Sequence, residues 1–397
     1  MIIGDQLYKR THNTLLASVV IALMLLVSCS SKEEKPVFSF VTRWEVKPSF
    51  KYDLACFIGI MTGREFYTRY YPELYAEWKK RLTPPATLSL RKINEIIGDE
   101  TPPGPQLCLF FSTIPDSADS LAAVLRFVEE TNGLPKSSMT SAHGDTINEQ
   151  QWQALKPHLR IVLEFLQKQN FQAYWETRLL PSINKQISYT RQELQAFDVI
   201  GDLERFLVDM NFPDTVTVYV VRLVQPHALR LSGQRYVAEA NYPIHVTVKS
   251  AYHEIVHQYG DRVVDTVLPS HFKRLEDDSF LQLTVARLDQ NNAYKNFRAF
   301  FHEEVTIAAE LWLAERRRMI SQIMRVQNAD PADPVRRYLA EQDNGRHVLA
   351  AVIYSFLSEG MKKENQSYAD FLRSLFTGGR LASGKIEERY NKFMKMQ

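Results

Sequence analysis

The run Ala251 to Tyr259 constrains this chain most, because it contains His253-Glu254-Ile255-Val256-His257. On an α-helix, residues four apart share a face, offset by about 40°. That spacing lets two imidazoles reach one metal ion. Glu254 lies about 100° round from His253, where it can touch a water on the metal rather than the metal itself. Two neutral His ligands and a carboxylate base are the parts a zinc ion needs to activate water. The reading therefore makes His253 and His257 metal ligands, Zn2+ the cofactor and Glu254 the catalytic base. The opposite face, Ala251, Tyr252, Ile255 and Tyr259, is apolar or aromatic, so the helix should be buried. Two His and one Glu on a buried helix need partners, and a metal supplies one. The plainer alternative is a pair of hydrogen-bonded core histidines.

The third ligand has to come from elsewhere. A clan that continues the motif with Gly-x-x-His is excluded: Gly260 is in place, but Val263 stands where the last His would be. Gly260 reads instead as a helix C-cap. A second helix offers Phe300-Phe301-His302-Glu303-Glu304. With Glu304 as the origin of a helical wheel, Phe297, Phe300, Phe301, Ala308, Leu311 and Trp312 all fall within about 80° of it. A carboxylate in the middle of an apolar face is costly to bury unless it is paired or bound to metal. Glu304 is therefore the expected third ligand. Glu303, beside Glu310 at the edge of the apolar arc, is the second choice, and a buried Arg or Lys is the competing partner for Glu304. His302 falls about 160° from Glu304, facing away. Candidates for stabilising an oxyanion are His271, His302, Tyr252 and His347. His245 reads as a surface or outer histidine.

The N-terminus stands apart from the fold. Lys9, Arg10 and His12 precede the apolar stretch Leu15 to Val27, which is short for a transmembrane span. It ends in Leu26-Val27-Ser28-Cys29, followed by polar residues, and resembles a bacterial lipobox in which Cys29 becomes the lipidated first residue. This implies a protein outside the cytoplasm, held in the cell envelope by its lipid. Ser30 after the Cys implies the periplasmic face of the outer membrane. Cys56 and Cys108 would then face an oxidising compartment, bonded or free. The formal charge of +2 and the lack of a basic block give a nucleic-acid role no electrostatic support.

Along the chain, residues 1–28 read as a signal peptide, 29–50 as a tether with a strand-like piece at Val37–Val41, and 51–210 as a mainly helical region. Its aromatic run from Tyr52 to Leu82 is expected in the core. Pro84-Pro85 and Pro102 to Pro105 read as breaks, Leu88 to Ile97 and Ser117 to Thr131 as helices, and Gly133 to Asp145 as an exposed loop. Glu149 to Val208 is helical in pattern, interrupted at Pro157 and Pro181. The period changes at Val216 to Val224, a strong strand. Leu229–Leu231 and Tyr236–Ala240 are weaker strands, and Ile244 to Lys249 alternates like a strand leading into the motif. After an irregular Thr266–Phe280 come a long helix, Asn296–Ile323, and three more at Pro334–Gln342, His347–Leu357 and Tyr368–Leu375.

With these pieces the sequence resembles the gluzincin superfamily of zinc metallopeptidases: His253, Glu254 and His257 on one helix, then a Glu on a later one. More narrowly it is similar to gluzincin-like bacterial lipoproteins, whose second motif is a Glu followed by apolar and small residues. The likeness covers roughly 215–320. It departs from thermolysin-like chains, since Ala308 stands where their Glu-x-x-x-Asp motif has Asp, and it lacks the aminopeptidase Asn-Glu-Gly and Gly-Ala-Met-Glu-Asn motifs. The resemblance implies an α+β, mainly helical fold, with a zincin-like unit (small sheet, motif helix, glutamate helix) in a domain spanning 211–397. It implies hydrolysis of a peptide or protein substrate, which could lie along an edge strand. A cell-wall peptide amidase with the same zinc site, or a non-catalytic helical lipoprotein scaffold, are the alternatives.

Overall fold

A computed structural model describes residues 40–98, 103–133, 149–225, 229–231, 233–289, 297–325, 330, 332–341 and 345–395. Cys29, the signal peptide and most of the expected Gly133–Asp145 loop lie outside them. Among the described residues no helix is long and apolar enough to cross a membrane.

The sequence Thr-Val-Thr-Val-Tyr-Val-Val forms strand β2, Thr215–Val221, with both faces buried. A near-continuous β-branched run is what a strand covered on both sides requires. It pairs in parallel with β1, Arg43–Pro48, on one side and with β4, Arg235–Glu239, on the other. The two-residue β3, Leu229–Arg230, runs antiparallel to β4 and ends the sheet, in the order β1-β2-β4-β3. The fold is thus α+β and mainly helical, with one small mixed sheet. An edge strand comes from the start of the described chain, a few residues beyond the expected Val37–Val41. Residues 41–397 cluster as one compact unit.

Helix α1, Phe50–Met61, is buried all round, as its sequence Phe-Lys-Tyr-Asp-Leu-Ala-Cys-Phe-Ile-Gly-Ile-Met suggests. It crosses α2, Pro103–Phe111, at two glycines: a Cβ on Gly59 would lie 2.7 Å from the Gly104 nitrogen. That approach sets Cys56 and Cys108 with sulfurs 3.8 Å apart, both free thiols. Asp53 in α1 takes hydrogen bonds from Trp175 Nε1 (2.7 Å) and from the backbone nitrogens of Arg222 (2.8 Å) and Leu223 (2.9 Å). It thereby fixes the exit of β2. Of the aromatic run, Tyr52, Phe57, Tyr67 and Trp78 enter the core as expected, with Phe57 and Trp78 packed edge-on, whereas Phe66 is exposed. The prolines mostly start helices rather than break them. Pro84 and Pro103 open helices, Pro181 is in the first turn of Leu180–Leu194, and Pro157 sits inside an unbroken Glu149–Lys168.

The expected strand at Ile244–Lys249 is not one. Those residues are the first turns of α3, Ile244–Thr266, which begins after Pro243 and carries the whole motif. Three alternating β-branched residues are too few to settle the period, and packing overrides their modest helix propensity. Nor does Gly260 cap that helix, which continues six residues beyond it. The long helix expected at Asn296–Ile323 is α4, Phe297–Arg316, followed after a left-handed Arg318 by a separate turn, Met319–Ile323. Helices α3 and α4 pack along each other, and α5, Val348–Ser358, packs on α4. The segment read as irregular holds two short helical turns, Leu268–Ser270 and Phe272–Glu276.

Candidate metal centre

Helices α3 and α4 meet along a polar seam inside an apolar interface. Lys249, His253 and His257 follow at four-residue spacing on α3, which puts them on one face. On α4, Glu303 and Glu310 are seven apart and so share a face too. Lys249 meets Glu310, His253 meets Glu310 and Glu303, and His257 meets Glu303, so the helices run antiparallel.

At the centre, His253 Nε2 and His257 Nε2 are 2.9 Å apart. Glu303 brings Oε2 to 3.1 Å from His257 Nε2 and Oε1 to 3.6 Å from His253 Nε2. A tetrahedral ion with bonds of about 2.1 Å holds its ligand atoms about 3.4 Å apart, and the three distances bracket that value. Two imidazoles and one carboxylate are also a donor set that suits zinc with a position left for water. These three side chains could therefore hold one metal ion. His253 turns its other nitrogen, Nδ1, onto Glu310 Oε2 at 2.6 Å, as metal-bound histidines commonly do. His257 Nδ1 is buried without a partner among the described residues.

Lys249 Nζ lies 2.5 Å from Glu310 Oε1. Burial opposes the charge on Lys249, but Glu310 more than offsets it and holds the ammonium above its usual range. Burial also pushes Glu310 upward, and Lys249 with His253 overcomes this and keeps it below the usual carboxylate range. In His253, burial favours the neutral ring, yet Glu303 and Glu310 together raise it to about 9.

Glu254 lies next to this group with its Oε2 buried and without a hydrogen bond. Among the described residues its ion-pair partner is Arg230 of the edge strand β3, whose Nε is 3.9 Å away. Gln258, one turn on, donates to the Gly233 carbonyl at 3.1 Å and ties the β3–β4 connection to the motif helix.

The structure does not bring Glu304 to the histidines. Its carboxylate is fully buried, with Oε1 on His347 Nδ1 at 2.7 Å and Oε2 accepting from the Ala350 nitrogen at 2.8 Å. Ala350 is in the first turn of α5, so Glu304 satisfies a helix-end donor that has no partner within its own helix. Burial pushes the carboxyl above its ordinary value, a shift that His347 and the Ala350 nitrogen only partly offset. Among the described residues its partners are His347 and the Ala350 nitrogen rather than a buried Arg or Lys.

The oxyanion candidates are engaged elsewhere. His271 stacks on Phe376 with ring centroids 4.5 Å apart, and the Tyr252 hydroxyl donates to Asp202 at 2.6 Å. His347 holds Glu304. His302 does not face away: its Nε2 lies 3.0 Å from the His257 carbonyl. Gly260 makes this possible, because a Cβ there would fall 2.2 Å from the His302 ring. His245 is half-buried in the first turn of α3. Glu310, Lys249 and Arg230 were missed from the sequence. The first two had a readable signal, a four-residue polar stripe on one helix facing a seven-residue acidic stripe on another.

Compared with protein families, with curated proteins and with solved structures, the chain finds no match.

Proposed function

We propose that the chain is a zinc-dependent hydrolase of peptide bonds, with His253, His257 and Glu303 as metal ligands and Glu254 as the base. One observation carries this reading. Three donor atoms from two helices converge at ligand spacing, and the motif carboxylate stands beside them with an unpaired buried oxygen. A zinc ion bound there supplies an acidified water and polarises a carbonyl. Glu254 accepts the proton from the attacking water and returns it to the leaving amine. Glu310, held by Lys249, fixes the His253 ring through Nδ1, so that Nε2 presents its lone pair to the cluster. The short edge strand β3 leaves backbone groups beside Glu254 on which an extended peptide could align. The lipobox-like run ending at Cys29 supports a lipid-anchored protein of the cell envelope.

The test compares purified wild type with Glu254→Gln. One zinc per chain and chelator-sensitive peptide cleavage are expected. The variant should retain zinc and lose cleavage by about 100-fold or more, the usual scale for a general base. A wild type that binds no metal, or a variant that cleaves as well as wild type, overturns the reading.

A further inference from the structure

We propose that Arg230 anchors a carboxylate of the substrate next to the scissile bond, making the site selective for peptides that carry a negative charge there. The inference rests on the hydrolase reading above and names its substrate class.

Three observations converge. Arg230 lies on β3, at the free edge of the sheet, paired through β4 with Tyr236. Its side chain is 23% exposed, yet its guanidinium makes no hydrogen bond with a described residue. Its one ionic contact among those residues, 3.9 Å to Glu254, is too long to be a hydrogen bond. None of its guanidinium nitrogens is buried without a partner, so its N–H donors are left to water rather than to a protein acceptor. The acceptor missing here is one that a ligand could bring.

Charge points the same way. Around the cluster, Glu254, Glu303 and Glu310 face Lys249 and Arg230, and Lys249 is taken up by Glu310. With both histidines neutral, as metal ligation requires, these five side chains sum to one net negative charge, which a divalent cation would convert to one net positive charge. Arg230 is then the cation left to meet a substrate anion. The planar fork of Arg fits a carboxylate in two parallel hydrogen bonds, which neither Lys nor a neutral side chain can reproduce.

The carboxylate has two possible sources, a free C-terminus or an acidic side chain. Short peptides are compared in three forms: free-acid neutral, amidated with one Glu, and amidated neutral. Each is tested on wild type, Arg230→Gln and Arg230→Lys. The carboxylate-bearing peptides should show the lower KM on wild type. With Arg230→Gln that advantage should fall by about tenfold or more, the scale of hydrogen bonds to a charged group. Arg230→Lys should restore it only in part, and kcat, zinc content and the KM of the amidated neutral peptide should hold. Preference for the free acid identifies a C-terminus as the source, and preference for the Glu peptide identifies a side chain. Anisotropy of the same labelled peptides on chelator-treated protein reads binding apart from turnover. If wild type cleaves nothing and holds no zinc, the hydrolase reading fails, and anisotropy still judges Arg230. Equal affinity for all three peptides, or equal affinities of wild type and Arg230→Gln, overturns the proposal.

Discussion

Glu303 and Glu304 are adjacent, equally acidic and both withdrawn from water, yet they serve different partners. Helical geometry turns them about 100° apart, so one meets the motif histidines on α3 and the other the start of α5. The wheel located the apolar face around Glu304 correctly, and a buried carboxylate there did need a partner. Which partner depends on where α5 docks, and no local pattern in residues 297–316 carries that information. The two residues should therefore separate experimentally. Glu303→Gln is expected to lose most zinc affinity while the fold remains near wild-type stability. Glu304→Gln leaves His347 and a helix-end nitrogen poorly matched in a buried place, which should cost about 1–3 kcal/mol in urea unfolding. Its zinc affinity should stay close to wild type. If Glu304→Gln abolishes zinc binding without loss of stability, and Glu303→Gln does neither, the ligand assignment is wrong.

At the scale of elements, the motif helix was legible where its chemistry lies and not where it starts. His253-Glu254-x-x-His257 fixes the helical period, and the buried flank of Ala251, Tyr252, Ile255 and Tyr259 came out as read. Ile244–Lys249 misled because alternation over six residues fits one and a half helical turns as well as a strand. Gly260 misled differently. Its role depends on a ring from another helix, and such close approaches leave no mark except the glycine itself. Gly260→Ala should expel the His302 ring from its contact with the His257 carbonyl, since the new methyl would overlap the ring. Helix propensity favours the Ala by about 1 kcal/mol, whereas overpacking typically costs about 1–3 kcal/mol. Crowding of this degree should win, and the variant should unfold at lower urea than wild type. His302→Ala in the same background should recover the loss, because it removes the overlapping ring. A stabilised Gly260→Ala single variant would show that the seam has slack there.

Across the whole molecule, the sheet joins the two ends of the sequence reading. The strong strand after Pro213 was legible from composition. Its parallel neighbour β1, some 170 residues earlier, was not, because parallel pairing is set by tertiary packing rather than by a hairpin turn. Asp53 connects the same distant regions, receiving Trp175, Arg222 and Leu223 on one buried carboxyl group. Burial is the largest influence on this group and, against those three donors, raises it from 3.8 to about 7. Below about pH 4 the folded and unfolded chains both hold the proton. Between there and about pH 7 the unfolded chain has released it and the folded chain has not. Stability from this residue is therefore lost as pH rises through that window, with a limiting slope of about 1.4 kcal/mol per pH unit. Asp53→Asn keeps an acceptor for Arg222 and Leu223 but places an amide against Trp175, so it should be less stable at pH 4.5. It has no proton to lose, so its disadvantage should shrink as pH approaches 7.5. Urea titrations of both proteins across pH 4.5–7.5 measure the difference, and a gap that stays constant or widens with pH would remove Asp53 as the buried proton holder at the junction of α1 and β2.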